Sequence, residues 1–405
     1  MGDQRIVQDG VPDHIPRDMV MNFDLFGGDP LFDEDLHTGI GRLAAEKRDL
    51  IYSPLNGGHW MVLGREAAFS ALTDVTLFSN SPLHRWPEAV ETIQIPIGLD
   101  PPEHGAYRKV LTEAFSPRSV IAMDGQIRAL TNRLIDAVID TGGCDFAKAV
   151  AEPLPVMTFM QLMGFPLSRL GEFRTWVLAG ISEPDPVKRQ VTWDKVLAMT
   201  GELIRAREVE RQDDLISRLL DTEINGRPPS FDEMQRFCLM LFIAGLDTVT
   251  NAMSLIIRHL AKDPELQARL RADPRAIPSA IEEITRRYSA NAVPRFVARD
   301  GEFCGAPLRK GDQVLVLLSA ANLDPRGFAQ PETIDLTRKT PHLAFGAGVH
   351  RCVGAQLARV ELRAVLEEWL RRVPPFRLDP DRPWAYHTGY VFSIDSLPLV
   401  WDSAG

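Results

Sequence analysis

Between Ser230 and Pro264 the chain reads SFDEMQRFCLMLFIAGLDTVTNAMSLIIRHLAKDP, a nearly unbroken helical pattern that constrains the fold more than any other stretch. Ser230 and Glu233 have the spacing of a capping box, in which two side chains satisfy free backbone N–H groups and start a helix. The pattern closes before Pro264. About 32 residues at about 1.5 Å each make a rod of about 48 Å, long enough to cross a whole molecule of this size. Its most apolar part, Cys238–Leu246, is too short to span a bilayer and reads as helix buried on all sides. Yet Asp247 and Thr248 stand side by side in its middle. A buried carboxylate without a partner is costly, so the pair needs a chemical reason.

The rest of the chain suits a helical body. Periodicity from about 117 to 290 is mostly helical. Two strand-rich patches flank it, one at 49–64 with an Asn-Gly-Gly hairpin turn and one at 295–318. With no alternation of strand and helix that would build a parallel sheet, the reading is a mainly α single domain over 1–405 with small β-sheets. A net charge of −10 argues against a nucleic-acid partner. The opening residues are polar with no apolar run, so neither a signal peptide nor a membrane anchor is expected, and the protein reads as cytoplasmic. Cys144, Cys238, Cys304 and Cys352 lack Cys-x-x-Cys spacing, which argues against a zinc ribbon or a disulfide framework.

Cys352 has a distinctive setting, HLAFGAGVHRCVGAQLARVEL. Gly346 and Gly348 permit a tight turn. Val353, Leu357, Val360 and Val365 then recur at helical spacing, predicting a helix over 353–373 with the cysteine at its start, where free N–H groups and the helix dipole favour thiolate. Gly354 inside that helix suggests close approach of something flat. A metal on one thiolate with a planar macrocycle satisfies these features; a buried structural cysteine satisfies the residue types equally.

The full pattern Phe345-Gly346-x-Gly348-x-His350-x-Cys352-x-Gly354 resembles the haem-binding signature of the cytochrome P450 monooxygenases. The resemblance implies the P450 fold around a long central helix at about 231–262, heme b (iron protoporphyrin IX) as cofactor and Cys352 as the thiolate on iron, shielded by Phe345 in the loop 345–354. Thiolate ligation favours O–O cleavage. Ala244-Gly245-Leu246-Asp247-Thr248 resembles the oxygen-activating motif: Ala244 and Gly245 leave room for O2, with a local π-type widening of the helix, and Asp247 and Thr248 deliver protons. Glu283-x-x-Arg286 and, in the following meander, Arg338 resemble the family's structural ion-pair network. His104, Arg108, Arg295 and His350 match positions that hold the haem propionates.

Resemblance is strongest to the bacterial camphor-hydroxylase branch, through LFIAGLDTV, EEITRR and LPLVWD. Substrate positions carried over are Trp86, Thr92, Gln94, Ile97, Met240, Ile243, Ala244, Asn291, Val293, Tyr390 and Val391. Thr92 stands where that branch has a substrate-binding tyrosine, which points to a related terpenoid or norisoprenoid ketone such as an ionone. No reductase domain is fused, implying a separate [2Fe–2S] ferredoxin and its reductase. Arg108, Lys109, Arg351, Arg359 and Arg363 offer it positive charge. A monomer is expected. A peroxide-driven peroxygenase usually lacks the acid–threonine pair present here; a non-catalytic haem-thiolate sensor needs neither the pair nor a docking face.

Overall fold

The computed structural model describes residues 11–27, 29–30, 35–85, 94–173, 175–176 and 186–402. By packing, the chain divides into two compact units. One comprises Met1–Ile93, Pro278–Cys352 and Tyr386–Ser393; the other comprises Gln94–Ile277, Val353–Ala385 and Ile394–Gly405.

The first unit is built on a five-stranded sheet that joins the two strand-rich patches of the sequence. Its order is Leu50–Ser53, His59–Val62, Gln313–Leu317, Ala292–Val297 and Phe78–Ser79. The first two strands form an antiparallel hairpin pairing Leu50 with Val62. Its turn places Asn56, Gly57 and Gly58 at φ +53°, +85° and +74°, a left-handed run that Asn and Gly tolerate best. His59–Val62 then pairs parallel with Gln313–Leu317, so that Trp60 lies opposite Val314. Residues Val314–Leu317 are fully buried, as a central strand covered on both faces must be. Helix Arg65–Thr73 supplies Ala68, Ala71 and Leu72 to the core over this sheet.

The second unit is helical. Its long helix runs Phe231–Lys262, and both bonds of the capping box are made: Ser230 Oγ accepts from Glu233 N at 3.2 Å, and Ser230 N donates to Glu233 Oε2 at 2.7 Å. Helices Pro153–Met163 and Pro186–Val209 and the strand Phe376–Leu378 pack against it. Phe242 stacks its ring 5.7 Å from Phe159 and 5.0 Å from Phe173. Among the described residues this is the one helix long and apolar enough to cross a bilayer, and much of that apolar window is buried inside the protein.

Two expectations about this helix need correction. It is not buried on all sides, because Ala244 and Gly245 are exposed between buried Leu241–Phe242 and buried Val249. Nor does it widen at the Ala-Gly pair, for it is α-helical throughout. The π-type turn lies at Ala147–Ala151, in a segment packed against it. There Glu152 N bonds back five residues to Ala147 O at 2.9 Å, and the Ala151 carbonyl accepts Thr250 Oγ1 of the long helix at 3.1 Å.

Candidate active site

The cysteine loop is fixed from both ends by backbone bonds. Leu343 N donates to Asn322 Oδ1 and Gly346 N to Leu343 O, each at 2.7 Å. Cys352 N donates to Phe345 O at 2.9 Å and closes the loop. Gly346 and Gly348 take φ of +67° and +70°. A Cβ at Gly348 would lie 2.4 Å from the Leu72 carbonyl oxygen, so only glycine fits; at Gly346 nothing lies within 4 Å. The sulfur-bearing residue itself is exposed. The other three cysteines are unsuited to thiolate chemistry near neutral pH. Burial pushes the Cys144 and Cys238 thiols up to about 12 and that of Cys304 up to about 11. One detail departs from the sequence expectation: the helix after the loop is Ala355–Arg372, and Gly354 is its N-cap at φ −79°. Val353 satisfies the apolar spacing but belongs to the turn.

Behind the loop in the same unit, Glu283, Arg286 and Arg338 meet. Arg286 is 0% exposed and Glu283 5%. Arg286 grips the carboxylate with two bonds, Nε to Oε2 at 2.9 Å and Nη2 to Oε1 at 2.8 Å. Arg338 Nε and the Asp335 backbone N–H add bonds to Oε1 at 3.0 and 3.1 Å. These donors hold the Glu283 carboxyl below the usual range against the opposing effect of its burial, the largest single influence on it. Arg286 also donates to Asn322 O at 2.8 Å, and Asn322 is the residue that holds Leu343. The network therefore reaches the cysteine loop through one asparagine.

Arg295 is buried on strand Ala292–Val297, and His350 is half-buried in the turn Gly348–His350. On the same unit four substrate candidates come together: Asn291 bridges Val391, Ala292 N bonds Tyr390 O at 2.9 Å, and Val293 follows. Tyr390 is exposed, its hydroxyl accepting from Gln313 Nε2 at 3.1 Å. The Asn291 Oδ1 atom is buried with no hydrogen-bond partner in the protein. Arg351 is exposed.

In the second unit, helix Glu103–Ala114 carries His104, 3% exposed, and half-buried Arg108 on one face, with Lys109 exposed. Burial lowers the His104 pKa, and neighbouring Arg108 lowers it further while Asp100 opposes both. Tyr107 of this helix donates to Glu233 Oε1 at 2.6 Å, tying it to the capping box of the long helix. Arg359 is half-buried; Arg363 is exposed but lies 3.4 Å from Glu367 and 3.8 Å from Asp124, which reduces the charge it can offer. On the long helix Asp247 and Thr248 are half-buried, and Thr248 Oγ1 donates to Ala244 O at 3.2 Å. Adding a Cβ at Gly245 meets nothing within 4 Å. Ile243 is half-buried, whereas Met240 is buried in the apolar core with Phe237 and Leu241. Gln94 is half-buried and Ile97 exposed. Trp86 and Thr92 lie outside the described residues.

Sequence reasoning missed Asn251, which donates to Asp247, and Asn322, the link between the ion-pair network and the loop. The first had a local signal, since Asn251 follows Asp247 by four residues, one helical turn. The second had none.

An exposed cysteine on a rigid loop, open space over Gly346 and a buried arginine at position 295, all in the first unit, suit a flat, anionic iron macrocycle. Comparison with known proteins agrees. The family model described as Cytochrome P450 matches residues 156–383. A protein named probable cytochrome P450 127A1, from Sinorhizobium fredii (strain NBRC 101917 / NGR234), is 33% identical over 98% of this chain and 98% of its own length. A steroid C26-monooxygenase of Mycobacterium tuberculosis (strain CDC 1551 / Oshkosh) is 32% identical over 83% of this chain and 93% of its own. Crystal structures of CYP101J2 and CYP101C1 each align with a TM-score of 0.89 over 97% of this chain, at 33% and 32% identity, covering 99% and 100% of those chains. The chain belongs to the cytochrome P450 family, haem-thiolate monooxygenases that carry heme b.

Proposed function

We propose that this P450 hydroxylates a small terpenoid or norisoprenoid ketone of ionone or camphor type, as a cytoplasmic monomer, using O2 and two electrons from a [2Fe–2S] ferredoxin and its reductase. The observation that carries the reading is the break in burial at Ala244 and Gly245, beside the half-buried Asp247 and Thr248, within an otherwise apolar helix. A helix that merely filled a core would bury that stretch.

Cys352 would hold the haem iron, with Phe345, Gly346 and Gly354 around it and Ala244 and Gly245 on the long helix. His104, Arg108, Arg295 and His350 would hold the propionates. When bound, the haem supplies activation of O2 and insertion of one oxygen atom into a C–H bond. The chain's own task is to orient substrate and govern protons. The Thr248 hydroxyl, back-bonded to Ala244 O, can turn to donate toward oxygen. Asp247 would pass protons to it from solvent. Val293, Val391, Ile243, Ile97 and the positions of Trp86 and Met240 would give apolar contact, while the Asn291 amide, Gln94, Thr92 and the Tyr390 hydroxyl would orient a polar group. Relatives named for steroid and methyl-branched lipid oxidation show how wide the family's apolar substrates are. The orphaned amide oxygen at Asn291 favours a substrate with one polar handle.

Arg108, Lys109, Arg351, Arg359 and Arg363 would steer an acidic ferredoxin. The test is a spectral titration of the ferric holoprotein with β-ionone, camphor, a sterol and a fatty acid. Terpenoid ketones should move the haem from low to high spin, and ferredoxin, reductase and NADH should then yield a product one oxygen heavier. A spin change with sterol or fatty acid alone would overturn the substrate class; no product with any reduced partner would overturn turnover itself.

A further inference from the structure

We propose that Asn251 is a positioning residue for Asp247 and that the acid's place is set by the backbone of the last strands rather than by the long helix alone. Asn251 is 1% exposed. Its Nδ2 donates both to the Asp247 carbonyl and to Asp247 Oδ1, each at 2.8 Å. Its Oδ1 accepts the backbone N–H of Ile394 at 2.8 Å. The Ile394 N–H can only donate, so the amide oxygen must face it and the NH2 group must face Asp247; the reverse orientation would set two donors against each other.

Three consequences follow from this geometry. The carboxylate of Asp247 is turned along its own helix, toward the residue one turn on. The amide gives one N–H to the carboxylate and the other to the Asp247 carbonyl, so the acid is held by a neutral donor that adds no positive charge. The reference point for that placement is a main-chain N–H in strand Ser393–Ser396, 143 residues away in sequence and buried at Ile394. A main-chain anchor holds position better than a long side chain, because it has no rotamers to lose.

This inference rests on the reading of Asp247 as the acid that relays protons, and the experiment separates the two. Four variants of the haem-loaded protein are compared: Asp247→Asn, Asn251→Ala, Asn251→Asp, and the exchange of Asp247→Asn with Asn251→Asp. Two readouts are taken. One is hydrogen–deuterium exchange at Ile394; the other is the pH profile of NADPH-driven oxygen consumption with a plant-type [2Fe–2S] ferredoxin and its reductase.

Asn251→Asp keeps shape and the acceptor for Ile394 but replaces the donor with a second carboxylate. Ile394 protection should stay within about twofold of wild type, while the acid limb of the profile moves up by about one pH unit and the rate falls about tenfold, since two carboxylates in contact resist ionising together. Asn251→Ala should lose protection at Ile394 at least tenfold and also slow the reaction. In the exchange variant the amide–carboxylate pair re-forms with the acid one turn away, so protection stays near wild type and the rate stays low. Should Asp247→Asn leave rate and profile untouched, the relay reading falls. Should Asp247→Asn slow the reaction while Asn251→Asp matches wild type, or should the exchange variant recover the full rate, the positioning role of Asn251 is overturned and the relay reading is not.

Discussion

Glu361, on helix Ala355–Arg372, is 2% exposed, and burial raises its carboxyl to about 8 from an ordinary 4.5. Thr158 of helix Pro153–Met163 is the polar group beside it, and among the described residues no cation offsets its charge. An acid raised in the folded state costs nothing below the unfolded pKa, because both states are then protonated. Between pH 4.5 and 8 the unfolded chain ionises while the folded chain does not, so stability falls as pH rises; above 8 the penalty levels off. At pH 7 the gap is about 2.5 units, or about 3.4 kcal/mol at 1.36 kcal/mol per unit. Glu361→Gln removes the titration and keeps the shape. At about 2.1 cal/mol/K per residue, 405 residues give an unfolding entropy of about 0.85 kcal/mol/K, so the variant should melt about 4 °C higher at pH 7. At pH 5 the same reasoning leaves under about 1 °C, and at pH 8 about 5–6 °C. Thermal unfolding of holoprotein at fixed scan rate, followed by far-UV circular dichroism at these three pH values, tests it. A gap between variant and wild type that does not grow with pH would refute an uncharged Glu361 in the folded protein.

Other outcomes test the remaining parts. Glu283→Gln leaves Arg286 buried with only carbonyl partners and should cost about 3–5 kcal/mol by urea unfolding. Because the Glu283 carboxyl is held low, that cost should be full above pH 4.5 and shrink as pH falls through its folded pKa. Gly348→Ala forces a Cβ against the Leu72 carbonyl at φ +70° and should lower haem retention, read as Soret absorbance per protein after gel filtration. Thr248→Ala should leave oxygen consumption largely intact while peroxide rises and product falls; tight coupling would count against a role for its hydroxyl in proton delivery.

What the sequence made legible was local. The capping box at Ser230 and Glu233 and the glycines around Cys352 follow rules that operate within a few residues, and both are built as those rules require. The i, i+3 spacing of Glu283 and Arg286 likewise needs only one helical turn. The helix start at Ala355 was misjudged because Val353 has the right polarity and apolar spacing cannot tell a turn residue from a first helical one. The exposure of Ala244 and Gly245 was hidden for a related reason: hydropathy reports what a residue prefers, not what stands opposite it. Asn251 to Ile394 and Asn322 to Leu343 are side-chain bonds to distant backbone, and no periodicity in the chain announces them.

The wide turn at Ala147–Ala151 has a bearing on the register of the long helix. Its carbonyl holds Thr250, two residues beyond Thr248. At about 100° per residue those two threonines point to nearly opposite sides of the rod. The bond therefore acts as a key in a slot: it forbids the helix to roll, and by fixing the far side it decides which way the acid and the alcohol look. Inserting a single residue between Thr248 and Thr250 would turn that pair by about 100° relative to the key, a change no adjustment of rotamers could undo.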